Sequence, residues 1–221
     1  MNRCWQRSPL QSLGQRLLDG QRLTPEEALA LFASRDLNAL GSLADELRHR
    51  RVGPHASYLV NRYLNYSNYC ILSCQFCAFA RKKRDADGFE LSLDQMLAKA
   101  REALALGVTE LHIVGGLHPS LPFSYYLDFL HALKALDPRL QLKCFTAIEV
   151  LHLAWLSKHS VAQTLQALRD AGLDSLTGGG AEIFAPEVRR AIARGKESAA
   201  EYLDVHRTWH RLGGRSTCTM L

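Results

Sequence analysis

Cys70, Cys74 and Cys77 stand in a C-x3-C-x2-C triplet, with Phe76 directly before the last cysteine. Three thiolates at this spacing can hold three irons of a four-iron cluster and leave the fourth open to a substrate, whereas electron-transfer clusters are closed by four cysteines. A structural zinc site asks for four ligands, commonly in two pairs. The other cysteines, Cys4, Cys144 and Cys218, are scattered singly, so a zinc site built on the triplet needs histidine to complete it. The spacing favours a cluster that takes part in chemistry over one that stores electrons or props up a fold.

Several other residues can do chemistry. Gly115-Gly116 is either a tight turn or a point where a ligand approaches the backbone closely. A phosphate-binding loop is excluded, because neither glycine fingerprint for one is present. Glu149 and Glu182 read as solvated loop charges or as carboxylates for ribose hydroxyls or an ammonium group. His118, before Pro119, is a candidate proton donor or hydrogen-bond partner. His112 reads as structural, and Tyr125 and Tyr126 as packing. Phe76 and Phe79 lie beside the last cysteine, against a nucleobase or in the core. The one dense basic run, Arg81-Lys82-Lys83-Arg84, is a solvated loop or a positive rim that draws in a small anion.

These residues need elements to hold them. Residues 1–52 read as helical: Pro9–Asp19, then a helix opened by the capping box Thr24-Pro25-Glu26-Glu27 and running to Ser34, then Leu37–His49. Beyond Gly53-Pro54 the pattern changes. Strands are expected over Ser57–Leu64, Thr109–Val114, Gln141–Thr146, Leu173–Thr177 and Ser216–Leu221. Helices are expected from Ser92 to Gly107, Phe123–Leu136, Ser160–Ala171, Pro186–Ala193 and Ser198–Leu212. Strand starts recur at about 32 residues, the size of one βαβ unit. This predicts an α/β fold with a parallel sheet over 53–221, preceded by an N-terminal helical segment, 1–52, packed on it. The cysteine loop and both glycine clusters follow strands and so share the carboxyl end of the sheet, where such folds bind ligands.

The 221 residues are 47% apolar and 22% charged, with net charge +5, an ordinary globular composition. No apolar run is long enough to span a bilayer. Residues 1–20 carry Arg3, Arg7 and Arg16 without an apolar stretch between them, so no secretory signal is expected. Clustered cysteines without a disulfide pattern point to a reducing compartment, the cytoplasm. No helix-turn-helix, RNA-recognition or zinc-finger pattern supports nucleic acid as a partner.

The triplet resembles the signature of the radical S-adenosylmethionine (radical SAM) enzymes. An ordered set of further motifs is similar to the futalosine-pathway branch that serves menaquinone biosynthesis, and most of all to the aminofutalosine synthases: Asn65-Tyr66-Ser67-Asn68-Tyr69-Cys70, Phe76-Cys77-Ala78-Phe79, Val114-Gly115-Gly116-Leu117-His118-Pro119, Phe145-Thr146-Ala147-Ile148-Glu149, Gly178-Gly179-Gly180-Ala181-Glu182-Ile183-Phe184 and Ser216-Thr217-Cys218-Thr219-Met220-Leu221. The related deazaflavin synthases and the dehypoxanthine futalosine cyclase differ around Gly179–Glu182 and Phe145–Glu149. Thr177, Tyr63 and Ser67 depart from the usual pattern.

The resemblance implies a radical SAM (βα) barrel of parallel strands, incomplete at the C-terminus, because relatives continue past Leu221. It implies a 4Fe-4S cluster on Cys70, Cys74 and Cys77, and SAM as cosubstrate. Gly115 and Gly116 would hold its amino group, Glu149 and Glu182 would contact SAM or substrate, and Phe76 would lie near adenine. The substrate would be the aryl enol ether dicarboxylate 3-(1-carboxyvinyloxy)benzoate, with Arg62 and Arg81 as weaker candidates for its carboxylates. Flavodoxin or ferredoxin would supply electrons. A strand at Ser216–Leu221 would leave an unpaired sheet edge, which predicts low solubility and poor turnover for this length of chain.

Overall fold

The computed structural model describes residues 4–221; Arg3, part of the charged N-terminal stretch, lies outside them. The chain divides into two compact units, Met1–Tyr58 and Leu59–Leu221. In the first, a short turn of helix, Cys4–Arg7, precedes α1 (Gln11–Leu18), α2 (Pro25–Ala33) and α3 (Leu37–Val52). Its small core is Trp5 with Ala39 and Leu43. Gly14 is required where it stands, since a Cβ there would come 2.6 Å from the Trp5 ring. The expected capping box is present, Thr24 and Glu27 each bonding the other's backbone N–H.

The second unit is an α/β unit. Five parallel strands, β1 (Asn61–Tyr63), β2 (Glu110–Ile113), β3 (Gln141–Cys144), β4 (Ser175–Leu176) and β5 (Arg215–Ser216), pair in the order β1-β2-β3-β4-β5. Helices α4 (Leu93–Ala105), α5 (Phe123–Leu136), α6 (Ala147–Ser157), α7 (Val161–Asp170), α8 (Pro186–Ile192) and α9 (Ala199–Arg211) alternate with them. The order never reverses, so right-handed crossovers place the connecting helices on one face of the sheet. There Leu111, Ile113, Leu142, Cys144 and Leu176 bury against Met96, Phe129, Leu133, Leu165 and Leu168. Each large apolar side chain so removed from water contributes roughly 1.5–3 kcal/mol. The sheet stays open, with β1 and β5 as its edges.

Three expectations need correction. The strands are shorter than the sequence suggests. Phe145 takes φ +61°, a left-handed conformation, and this ends β3 before Thr146. Only Arg215 and Ser216 of the C-terminal segment pair with β4; beyond them Thr219 N–H donates to Gly178 O at 3.0 Å and Leu221 N–H to Glu182 O at 3.0 Å, so the chain end follows the glycine loop. Finally, α6 was not expected. Thr146 caps it, and Glu149 at the third helical position closes the capping box, a spacing visible in Thr146-Ala147-Ile148-Glu149.

Candidate active site

The turn after β2 is held from below by one carboxylate. Because Glu149 closes the α6 cap, its Oε2 accepts from Thr146 N–H at 2.7 Å and from Thr146 Oγ1 at 2.8 Å. Its Oε1 accepts from Gly115 N–H at 2.9 Å and from the Tyr66 hydroxyl at 2.8 Å. Glu149 is buried; burial pushes its carboxyl up, and the four donors pull it partly back. Burial and the adjoining carboxylate push the Tyr66 hydroxyl well above its usual range. Glu149 is therefore saturated inside the protein, and it is absent from the lining of the pocket described below. The glycines are required for packing: a Cβ on Gly115 would enter the Tyr66 ring, and one on Gly116 would strike the Tyr69 carbonyl and come 2.8 Å from Cys70 Cβ.

The cysteine loop leaves the sheet after β1 and is tied at several points. Cys70 N–H donates to Arg81 O at 2.9 Å, and Gln75 N–H to Ile192 O at 2.8 Å. Leu117 N–H donates to Cys70 Sγ at 3.4 Å. Lys82 Nζ donates to three successive carbonyls of the loop, Cys70 at 2.8 Å, Ile71 at 3.2 Å and Leu72 at 2.7 Å. Arg81 pairs with Asp87 at 2.7 Å and donates to Ala78 O at 2.7 Å. The basic run thus contains two residues that fasten the loop, a use that neither a solvated loop nor an anion-attracting rim describes.

On the far side, Glu182 projects from the glycine loop after β4 with φ +45°. Its Oε1 accepts from Gly180 N–H at 3.1 Å and pairs with Lys196 Nζ at 2.7 Å. Lys196 Nζ also lies 5.4 Å from the centre of the Phe76 ring. Both stand where they do because buried Arg189 ties their segments together: its guanidinium donates to the carbonyls of Gly180 at 2.9 Å, Ala181 at 2.8 Å and Glu197 at 2.6 Å. The Glu197 side chain is buried with neither oxygen hydrogen-bonded, its nearest cation being Arg189 at 3.5 Å. Burial raises its carboxyl to about 7, against lowering by Lys196 and Arg189.

One pocket collects these parts. Cys70, Cys74, Cys77, Phe76, Phe79, Gly115, Gly116, Thr146, Gly179, Gly180, Glu182 and Lys196 all line it. The three thiols are free. Burial pushes the Cys74 thiol up, and Lys196 partly offsets this. Among the described residues, no three of His, Cys, Asp and Glu converge as ligands of one metal ion. A cluster asks for less convergence, since each thiolate takes a different iron. Three thiols facing one cavity, on a loop fastened by the protein's own atoms, fit such a group.

His118 lies elsewhere. It is buried, its Nδ1 accepts from Ser120 N–H at 3.2 Å and Leu121 N–H at 3.0 Å, and its Nε2 lies 2.7 Å from Glu90. Both backbone donors need an unprotonated Nδ1, so the ring proton sits on Nε2. Burial holds the ring's pKa down, with Glu90 opposing. These contacts fasten the segment after Gly116 and leave the ring outside the pocket lining. Arg62 pairs with exposed Glu102 of α4 at 3.7 Å, on the helix face of the sheet. Tyr126 is in the core and Tyr125 packs against it, as expected. Lys196 was missed, because nothing local distinguishes it; only the Arg189 knot brings it to the cysteines.

The family described as the radical SAM superfamily matches residues 64–221. The chain is 44% identical over 209 residues to an aminodeoxyfutalosine synthase of Streptomyces coelicolor, covering 95% of this chain and 54% of that protein. It is 40% identical to a cyclic dehypoxanthine futalosine synthase of the same organism, over 98% of this chain and 55% of that one. Among solved structures, methylornithine synthase superposes with a TM-score of 0.68 at 18% identity, over 92% of this chain and 57% of that one, a likeness of fold. The chain spans about half the length of the curated relatives it matches.

Proposed function

The chain belongs to the radical SAM superfamily, and from that premise we propose that it carries the cofactor half of an aminodeoxyfutalosine synthase, joining the adenosyl group of SAM to 3-(1-carboxyvinyloxy)benzoate. The observation that carries this reading is the meeting of three free cysteines, two glycine turns and the Glu182–Lys196 pair in one pocket, in a chain related at 44% identity to such a synthase. Cys70, Cys74 and Cys77 would hold the cluster. When bound, a four-iron cluster with one open iron supplies the electron that cleaves SAM reductively.

The other residues bind and orient. The backbone at Gly115 and Gly116 faces the pocket beside the cysteines, held from behind by Glu149 and Tyr66, and suits an amino group. Lys196 offers an ammonium to a carboxylate, and Glu182 an acceptor for ribose hydroxyls. Phe76 and Phe79 give the pocket an apolar wall. Glu149 and His118 act as positioning residues for the segment 115–118. A flavodoxin or ferredoxin in the cytoplasm would deliver the electron.

Isotope labelling tests the reading. With adenosyl-labelled SAM, a reductant and the enol ether, label is expected in an adenosylated adduct. A cyclase, favoured as second reading by the 40% identical futalosine relative, would instead release labelled 5′-deoxyadenosine without an adduct.

A further inference from the structure

The sheet face turned away from the helices carries a row of polar residues that the reading above leaves unused. Tyr63, His112, Lys143, Ser175 and Arg215 pair in register across all five strands. The residues that flank them along β2, β3 and β4, among them Leu111, Leu142 and Leu176, are buried in the core on the helix side. Strand alternation therefore turns this row to the opposite face. Barrels that fill their own interior place bulky branched residues there; this chain places a histidine, a lysine and an arginine.

Two features make the row a site. It adjoins the cysteine pocket: Val114, directly after β2, lines that pocket, and His112 stands only two residues before it, about 7 Å along the chain in extended conformation. Its cations are also uncommitted. Neither Lys143 nor Arg215 has a side-chain hydrogen bond or ion pair among the described residues. Glu110, the carboxylate on the same face, is buried beside Asn61, whose amide approaches it at 3.5 Å. Tyr63 and His112 meet at one end of the row, their rings tilted by 48° with centres 4.6 Å apart. Lys143 and Arg215 are two strands apart, about 10 Å between Cα atoms, within reach of both ends of one small dianion.

We propose that this row is the carboxylate subsite for the second substrate: Lys143 and Arg215 hold the carboxylates of an aryl dicarboxylate whose ring rests against Tyr63 and His112. The inference rests on the synthase reading for its ligand class. It moves the role from Arg62, which faces α4, and from Arg81, which fastens the cysteine loop.

Calorimetric titration of the 221-residue chain with benzene-1,3-dicarboxylate, beside uncharged benzamide, tests it. The dicarboxylate should bind and benzamide should not. Lys143→Met and Arg215→Met should each weaken binding by about 10- to 100-fold, the loss of one charge-assisted bond. Lys143→Arg should restore most of the affinity, and Arg62→Met should keep all of it. Circular dichroism checks each fold; should Lys143→Met not fold, Arg215→Met at the open edge decides. No binding by the parent chain, or equal binding by the folded Met variants, overturns the proposal. The synthase reading fails separately. Dicarboxylate binding with the expected variant pattern, but no labelled adduct, sinks that reading and leaves the subsite. Adduct formation with an unchanged KM in Lys143→Met and Arg215→Met does the reverse.

Discussion

Glu149→Gln keeps the shape of the buried side chain and removes its ability to accept from every side. Two donors reach each oxygen, a backbone N–H and a hydroxyl on either one. The glutamine –NH2 must face one of these pairs. The hydroxyl can rotate and accept from it, but the backbone N–H, of Thr146 or of Gly115, cannot. One unsatisfied buried donor costs about 1–3 kcal/mol, and the bonds that lose their charged acceptor weaken by about 1 kcal/mol between them. Relief of the buried charge returns part of this, leaving about 1–3 kcal/mol of lost stability. Urea unfolding followed by tryptophan fluorescence, with Trp209 in the affected core, measures it. A double-mutant cycle with Tyr66→Phe should show a coupling of about 1–2 kcal/mol, since the two share one bond. A Glu149→Gln protein within 0.5 kcal/mol (about the scatter between independent measurements) of the parent would refute the network as drawn.

Other outcomes follow from the same contacts. Gly116→Ala should destabilise by about 2–3 kcal/mol, read by the same urea curves, because its Cβ meets the rigid Tyr69 carbonyl. Lys82→Met should fold but lose iron to a chelator several-fold faster than the parent after anaerobic reconstitution, with Lys82→Arg intermediate, whereas Cys74→Ala should hold no complete cluster at all. Glu197 has a folded pKa of about 7, raised above the ordinary carboxylate value. A raised acid binds its proton more tightly when folded, so its contribution is present at low pH and is lost as pH rises from the unfolded value towards 7. Unfolding measured across that window should show Glu197→Gln less sensitive to rising pH than the parent, by at most about 3 kcal/mol. His206 acts in the opposite sense: burial lowers it to about 4, so its contribution is lost as pH falls.

What was legible in the sequence was local. The cysteine spacing, the capping box at Thr24 and the helix start at Ser92 each depend on a few neighbours, and the structure keeps them. What was misread depends on partners far along the chain or on strand phase. Arg62 was assigned to a ligand-facing position, but alternation gives that face to Tyr63 beside it. Glu149 was read as a carboxylate reaching SAM or substrate from a loop, because the helix it caps begins inside the expected strand and the left-handed turn at Phe145 has no sequence marker. Lys196 and Glu182 meet only because Arg189 gathers carbonyls from both their segments, which no periodicity encodes.

The bonds that fasten the cysteine loop, from Lys82, Arg81, Gln75 and Leu117, are all made by protein atoms. In a zinc finger the metal is what folds the chain, and its removal is denaturation. Here the loop carries bonds of its own, which would let its shape and the loading of its thiols be set separately and would make maturation a step in its own right. Such a design would carry a hazard too: three thiols gathered around one cavity would be open to oxidation for as long as they waited for iron.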